Sequence, residues 1–286
     1  MPILSRPRVP RAAVRDRPGA DDVLADAARA FELEYHDRPA APIAVVIPAL
    51  NEDESVGAVV RSVPARMCGL DADVLLVDDG SSDRTGQEAR SAGALVCRLP
   101  VNLGQGQALR LGYRLARQRG AAVIATIDAD GQFDPAEVPA LVGPIVAGEA
   151  DFVNGSRRLG RTEAVDPARQ LGLVVFGALV TMLTGTRITD PANGLRAFRA
   201  EVTQQVPLRQ SQYQTAELLI GTIARGFRVL EVPVTVYGRA GGASRKGGNF
   251  FYGWQFSRVV LTTWWSARHV ARQHRTRTPP ARTART

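Results

Sequence analysis

Two aspartates one residue apart, Asp128 and Asp130, follow an apolar run at 122–127, with Gln132 two positions further on. Paired carboxylates at a tight strand exit can share one divalent cation. A hard ion such as Mg²⁺ or Mn²⁺ prefers oxygen ligands and links protein carboxylate to a ligand's phosphate. Gln132 offers a neutral oxygen beside them. An isolated D-x-D is equally a solvated turn ahead of a helix cap at Asp134-Pro135, so its surroundings decide. A second polar exit, Val77-Asp-Asp-Gly-Ser-Ser-Asp83, offers Asp79 as an acceptor for a nucleotide's base or ribose. Ser82 or Asp83 suits the cap of the next helix. A third, Asn102-Leu-Gly-Gln-Gly-Gln-Ala108, carries two glycines before a helix, where backbone amides can meet an anion. Asn102 and Gly104 are the candidates there. The chain contains no G-x-x-x-x-G-K-[ST] loop and no G-x-G-x-x-G fingerprint.

The elements that must position these groups alternate. Apolar runs at 43–47, 74–77, 95–99 and 122–127 read as strands, and 54–63, a segment ending near Arg90, and 107–118 read as helices. This rhythm predicts an α/β fold whose central sheet is mostly parallel, with helices on both faces. Ligands of such sheets sit beyond the carboxyl ends of the strands. Four consecutive exits carry polar groups: Asn51-Glu52, Asp78-Asp79, Asn102, and Asp128 with Asp130. That coincidence selects the metal reading of the D-x-D. Beyond 150 we expect a strand at 151–154, helices near 168–184 and 215–225, and a strand from 227 that continues over 234–237. Residues 1–40 read as a basic extension with a short helix at 21–34, residues 41–248 as the catalytic domain, and 249–286 as an aromatic helix with a basic tail.

The 286 residues carry 36 Lys and Arg, 28 Asp and Glu, and a net charge of +8. That surplus invites a nucleic-acid partner, but its placement argues against one. Residues 1–18 hold five Arg and one Asp, and 268–286 hold six Arg and no acid, leaving −2 on residues 19–267. The basic tail has no aromatic residue to stack on bases, so we expect no nucleic-acid partner. Two cysteines and three histidines near the ends exclude a disulfide scaffold and a histidine metal centre. At 45% hydrophobic the chain is too apolar to be disordered throughout. The first residues have no apolar signal core, and the longest apolar run, 171–183, is about 13 residues against the ~20 of a spanning helix. We therefore expect a cytoplasmic protein, with contact to the inner membrane face where 249–286 provides it.

The ordered set Ile47-Pro-Ala-Leu-Asn-Glu52, Val77-Asp-Asp-Gly-Ser81, Asn102-x-Gly-x-Gly-x-Ala108, Asp128-Ala-Asp130, Gly155-Ser-Arg157, Asp190-x-x-x-Gly194-x-Arg196 and Glu231-Val-Pro233 resembles family 2 glycosyltransferases of the GT-A fold. The branch it resembles is that of dolichol-phosphate mannosyltransferases and polyprenyl-phosphate glycosyltransferases. Arg239-x-x-Gly242-x-Ser244-Arg245 is similar to that branch's R-x-x-G-x-S-K loop, with Arg245 where lysine is usual and Lys246 just after. The resemblance spans about 42–246. It implies that Pro48, Leu50, Glu52 and Asp79, with Asn102, Gly104 and Ala129, surround a UDP- or GDP-linked sugar. Asp128, Asp130 and Gln132 would hold Mg²⁺ or Mn²⁺ against the diphosphate. Arg157 would face the acceptor phosphate, and Arg239 and Arg245 would close over the phosphates. The Q-x-x-R-W signature of processive enzymes is missing from the sequence, so one sugar is expected to move per cycle.

Such a reaction inverts the anomeric carbon, and its barrier is largely charge building on the leaving diphosphate. A hydroxyl acceptor needs a general base, for which Asp190 and Glu217 are the candidates. A polyprenyl phosphate is already anionic and needs cations, which Arg157, Arg158 and Arg161 supply. A soluble hydroxyl acceptor and a non-catalytic nucleotide-sugar binder are the alternatives. Trp254, Trp264 and Trp265 gather with Phe250, Phe251, Tyr252 and Phe256 ahead of the arginine tail. Interface-seeking rings beside a polybasic stretch suit peripheral membrane contact. The 171–183 run suits a lipid groove, a core surface or a homo-oligomer contact.

Overall fold

A computed structural model describes residues 19–163, 167–210, 214–238 and 257–266. In chain order the elements are α1 (Ala20–Tyr35), β1 (Ile43–Ala49), α2 (Val56–Ser62), β2 (Arg66–Met67), β3 (Leu70–Asp78), α3 (Thr85–Ser91), β4 (Leu95–Arg98), α4 (Gln105–Gln118), β5 (Val123–Thr126), a 3-10 turn (Pro135–Glu137), α5 (Val138–Val146), β6 (Phe152–Thr162), α6 (Pro167–Thr184), β7 (Arg196–Arg199), α7 (Val202–Gln205), α8 (Gln214–Ala224) and β8 (Val229–Val236). A last helix, α9, covers 257–266.

One sheet runs β4-β3-β1-β5-β7-β6-β8, with the short β2 antiparallel to β3. β4, β3, β1 and β5 are parallel. β7 runs antiparallel between β5 and β6, and β8 is parallel to β6. The α/β expectation holds. All seven residues of β1 are buried because helices cover both its faces. Ala44 and Val46 join α1, α4 and α8 on one side; Ile43, Val45 and Ile47 join α2 and α5 on the other. Each such aliphatic side chain contributes about 1.5–3 kcal/mol on burial. Glycine at 112 lets α4 lie close to the sheet, since a Cβ there would meet Val46 Cγ1 at 2.4 Å. α1 adds Val23, Ala27, Ala28 and Phe31 to the same core.

The second half departs from the expected outline. β6 does not stop at 154 but continues through Arg157 and Arg158 to Thr162, with a register shift between Ser156 and Arg161. Apart from Leu159 and Gly160 its later residues are polar, so no apolar run announces them. β7 is four residues long with an arginine at each end, below what alternation reveals. α5 contains Pro139 and Pro144, residues that read as breakers; Pro144 lies inside the helix.

The topology sets the working edge. The carboxyl ends of β4, β3, β1 and β5 share one side of the sheet, and the amino end of antiparallel β7 arrives there too, with Arg196 opposite Thr126. Residues 51–52, 78–83, 102–106, 128–132 and 190–196 therefore converge.

Candidate active site

The exits of β1 and β3 are stitched together. Asn51 adopts φ 54°, a left-handed conformation that asparagine tolerates. Its Oδ1 accepts from Ser82 N at 2.8 Å, while Asn51 N donates to Ser81 Oγ at 3.0 Å. Glu52 N donates to Thr85 Oγ1 at 2.8 Å, and Ser55 Oγ donates to Ala129 O at 2.8 Å. These bonds bring the Glu52 turn against the Asp128 turn. Pro48 is buried in β1 opposite Val77, and Leu50 is half-buried at the strand exit.

Asp79 is buried, and both its oxygens accept backbone amides: Leu103 N at 2.8 Å and Gly104 N at 2.9 Å. Gly104 N also lies 2.9 Å from Asn102 Oδ1. Burial raises the pKa of Asp79 above the ordinary carboxylate value, and the two amide bonds pull against that rise. The anion that the glycine-loop amides meet is thus the chain's own carboxylate, which pins the loop ahead of α4.

Asp128 is half-buried at the end of β5 and accepts from Gln105 Nε2 at 3.2 Å. Its carboxylate packs against Gly194, where a Cβ would lie 2.6 Å from Oδ2. Gly194 is fixed in turn by Thr126 Oγ1, which donates to its carbonyl at 2.9 Å. Asp130 Oδ1 accepts from Gln132 N at 3.1 Å, closing a local turn. Tyr237 N donates to Gln132 O at 2.9 Å, which ties this turn to the end of β8. Behind it lies Arg196, wholly buried, donating Nη1 to Thr215 O at 2.8 Å and Nη2 to Asn193 O. Burial lowers its pKa; the charges of Tyr113, Asp128 and Asp190 oppose that, and a guanidinium stays protonated.

Arg157 and Asp190 form a two-pronged pair. Nε and Nη2 of Arg157 lie 2.7 and 2.8 Å from the Asp190 oxygens, and Arg157 N donates to Oδ2 at 3.0 Å. Asp190 is fully buried and also accepts from Asn193 Nδ2 at 3.2 Å. Glu217 is buried and accepts the amides of Arg209 and Gln210 at 2.8 and 3.0 Å. Both carboxylates considered as bases are therefore engaged with the protein. Arg158 is exposed. Arg161 lines a cavity of ≈ 570 Å³ with Thr162, Glu163, Thr235 and Tyr237. Arg239 and Arg245 lie outside the described residues, as does 249–256 of the aromatic stretch.

Sequence reasoning quoted Gly194, Arg196 and Glu231 without giving them work. The signal for Gly194 was its fixed offset from Asp190; contact with Asp128 is visible only in three dimensions. For Arg196 the available sign was its place in the same Asp190-x-x-x-Gly194-x-Arg196 spacing; its burial is visible only in the structure.

Among the described residues no three His, Cys, Asp or Glu side chains gather into a metal cage. Two carboxylates remain, and this is the donor set of a Mg²⁺-type ion that takes its other ligands from water and substrate phosphate. The oxygen chemistry of Asp128, Asp130 and Gln132 fits that group.

Residues 44–206 match the family described as glycosyl transferase family 2. The chain belongs to this family. It is a glycosyltransferase with a GT-A-like fold. Among its relatives, a dolichyl-phosphate hexose transferase of Haloferax volcanii is 32% identical over 199 residues, covering 70% of this chain and 84% of that one. A polyprenol monophosphomannose synthase of Mycolicibacterium smegmatis is 33% identical over 224 residues, covering 74% and 83%. In three dimensions the chain is similar to glucosyl-3-phosphoglycerate synthase from Mycobacterium tuberculosis, crystallised with Mn²⁺ and UDP-glucose. The TM-score is 0.61 at 28% identity, covering 88% of this chain and 85% of that one.

Proposed function

We propose that this enzyme moves one sugar from a nucleotide-sugar donor to a polyprenyl-phosphate acceptor, with inversion and with a divalent cation. Asp128, Asp130 and Gln132 would hold the ion, which when bound neutralises charge on the departing diphosphate. The remaining work falls to the chain's own groups. The Glu52 and Asp79 loops shape the donor's nucleoside end. Gln105 and Gly194 fix the Asp128 carboxylate. Arg157, held rigid by Asp190, presents cationic charge to the acceptor.

The observation that carries the acceptor class is the engagement of Asp190 and Glu217. Asp190 already accepts four bonds from the protein, which uses its capacity, and Glu217 is buried with a backbone amide on each oxygen, an engagement that favours an acceptor needing no base. An anionic phosphate needs no base, only positioning and a cation. The names of the sequence relatives support the same class. A lipid acceptor also accounts for α6. Leu171, Val174, Val175 and Met182 are 44–75% exposed at helical spacing, with exposed Ala178 between them. Trp264 Nε1 donates to Leu183 O at 2.6 Å and so docks α9 on the end of α6, while Leu261 and Trp265 of α9 stay exposed. In the sequence α9 is followed closely by segment 268–286, with six Arg and no acid, and apolar side chains with such a basic segment suit an anionic membrane surface. No helix among the described residues is long and apolar enough to cross a membrane.

The test offers a panel of UDP- and GDP-sugars, with Mn²⁺, to three acceptors: a polyprenyl phosphate, the matching polyprenol, and 3-phosphoglycerate. Product on the lipid phosphate alone is expected. Product on the polyprenol or on the soluble acceptor instead overturns the acceptor class.

A further inference from the structure

We propose that Glu231 is a positioning residue that sets the pose of Arg157 from a distance, through Thr189 and Asp190. This rests on the reading of Arg157 as the acceptor-facing cation. Glu231 lies on β8 directly opposite Asn154 of β6. Its carboxylate accepts four hydrogen bonds. Oε1 takes Asn154 Nδ2 and Asp190 N, both at 3.1 Å; Oε2 takes Thr189 N at 2.7 Å and Thr189 Oγ1 at 2.8 Å. A carboxylate has about four lone-pair directions, so this set uses its capacity. Two of the bonds fix consecutive backbone amides in a segment that belongs to no helix or strand.

The same segment is held from two more sides. Asn154 Nδ2 donates to Asp190 O at 2.8 Å, and Ser156 Oγ lies 2.6 Å from Thr189 Oγ1. With its backbone fixed, the buried Asp190 carboxylate grips the Arg157 guanidinium on its Nε–Nη2 side and the Arg157 amide as well. The order of support is Glu231, then the 189–190 backbone, then the Asp190 carboxylate, then Arg157. Glu231 is not among the groups in contact with Arg157 through any of these bonds, yet its loss would release the loop that aims it. A rigid Arg fork loses little freedom when it meets a phosphate, and that benefit disappears if the fork swings.

Glu231→Gln keeps the shape of the side chain but turns an NH₂ group toward backbone or side-chain donors. We expect the acceptor KM to rise about tenfold, the scale of a lost charge-assisted bond, with donor KM within about twofold of wild type. Arg157→Lys should show the same acceptor defect. Combined with Glu231→Gln it should add less than the product of the two, because both act on one element. Thr189→Val, which removes only the hydroxyl, should shift acceptor KM in the same direction by less, and it serves if Glu231→Gln does not fold. A fall in melting temperature with both KM values unchanged, a parallel rise in donor and acceptor KM, or full multiplication in the double variant overturns the proposal. Normal acceptor KM in Arg157→Lys instead removes the role of Arg157 itself. An acceptor defect in Arg157→Lys without one in Glu231→Gln or Thr189→Val removes only the role of Glu231.

Discussion

Asp128 is held by what surrounds it rather than by its own backbone alone. Gln105 donates to one oxygen, and Gly194 leaves the other just enough space. Gly194→Ala would place a methyl 2.6 Å from Oδ2, so the carboxylate must move. An ångström-scale displacement of a reacting group costs on the order of 10²-fold. We expect Gly194→Ala to cut transfer by about that factor and to raise the Mn²⁺ needed for half-maximal rate. A metal titration of the initial rate checks both. An unchanged half-maximal Mn²⁺ would mean that Asp128 does not hold the ion. Asp128 and Asp130 were legible in the sequence because a strand exit advertises itself by polarity after an apolar run. Gly194 was legible as part of a spacing only. Asp79 illustrates the reverse. Its type and place were readable, but its engagement with Leu103 and Gly104 depends on a loop that closes back over β3.

At the scale of elements, the parallel half of the sheet was readable and the rest less so. β1, β3, β4 and β5 are short apolar runs between helices, and each ends near its expected residue. β6 and β7 are obscured by arginines, which interrupt the apolar pattern that marks a strand. α6 was readable as a helix, whereas the exposure of one whole side of it was not. Its outward Leu171, Val174, Val175 and Met182 make a surface that water solvates poorly. Val175→Glu with Met182→Glu should weaken binding to anionic vesicles by about tenfold while leaving the melting temperature near wild type, since exposed substitutions rarely shift stability by more than ~0.5 kcal/mol. Vesicle sedimentation measures the first and calorimetry the second. Undiminished vesicle binding would reassign this side of α6 to contact between copies of the chain.

At the scale of the whole molecule, charged pairs also brace the sheet away from the candidate site. At the edge opposite the site, Asp151 accepts from Arg228 N at 2.8 Å and pairs with the Arg228 guanidinium, and Arg199 Nη1 lies 3.8 Å away. Bonding to Arg228 depresses the Asp151 pKa below the usual 3.8, with further help from the Arg228 amide and the Arg199 charge. A depressed carboxylate contributes stability that is present above its unfolded value and is lost as pH falls through its lower folded value. Melting temperature should therefore drop below about pH 4. Asp151→Asn should flatten that drop and lower stability at neutral pH, with kcat unaltered. A wild-type acid limb in Asp151→Asn would place the pH sensitivity elsewhere. The charge distribution belongs to this scale too. The +8 surplus lies in segments at the two ends, around residues 19–267 that carry a net −2. The central claim is that Asp128 and Asp130 support transfer to a lipid phosphate by holding a divalent cation. It is tested most directly by the rate of sugar transfer to polyprenyl phosphate, for wild type and Asp130→Ala, with excess chelator and after Mn²⁺ is restored. We predict loss of wild-type transfer in chelator, recovery with Mn²⁺, and no transfer by a folded Asp130→Ala at any Mn²⁺ concentration. Full transfer in chelator, or by Asp130→Ala, would contradict it.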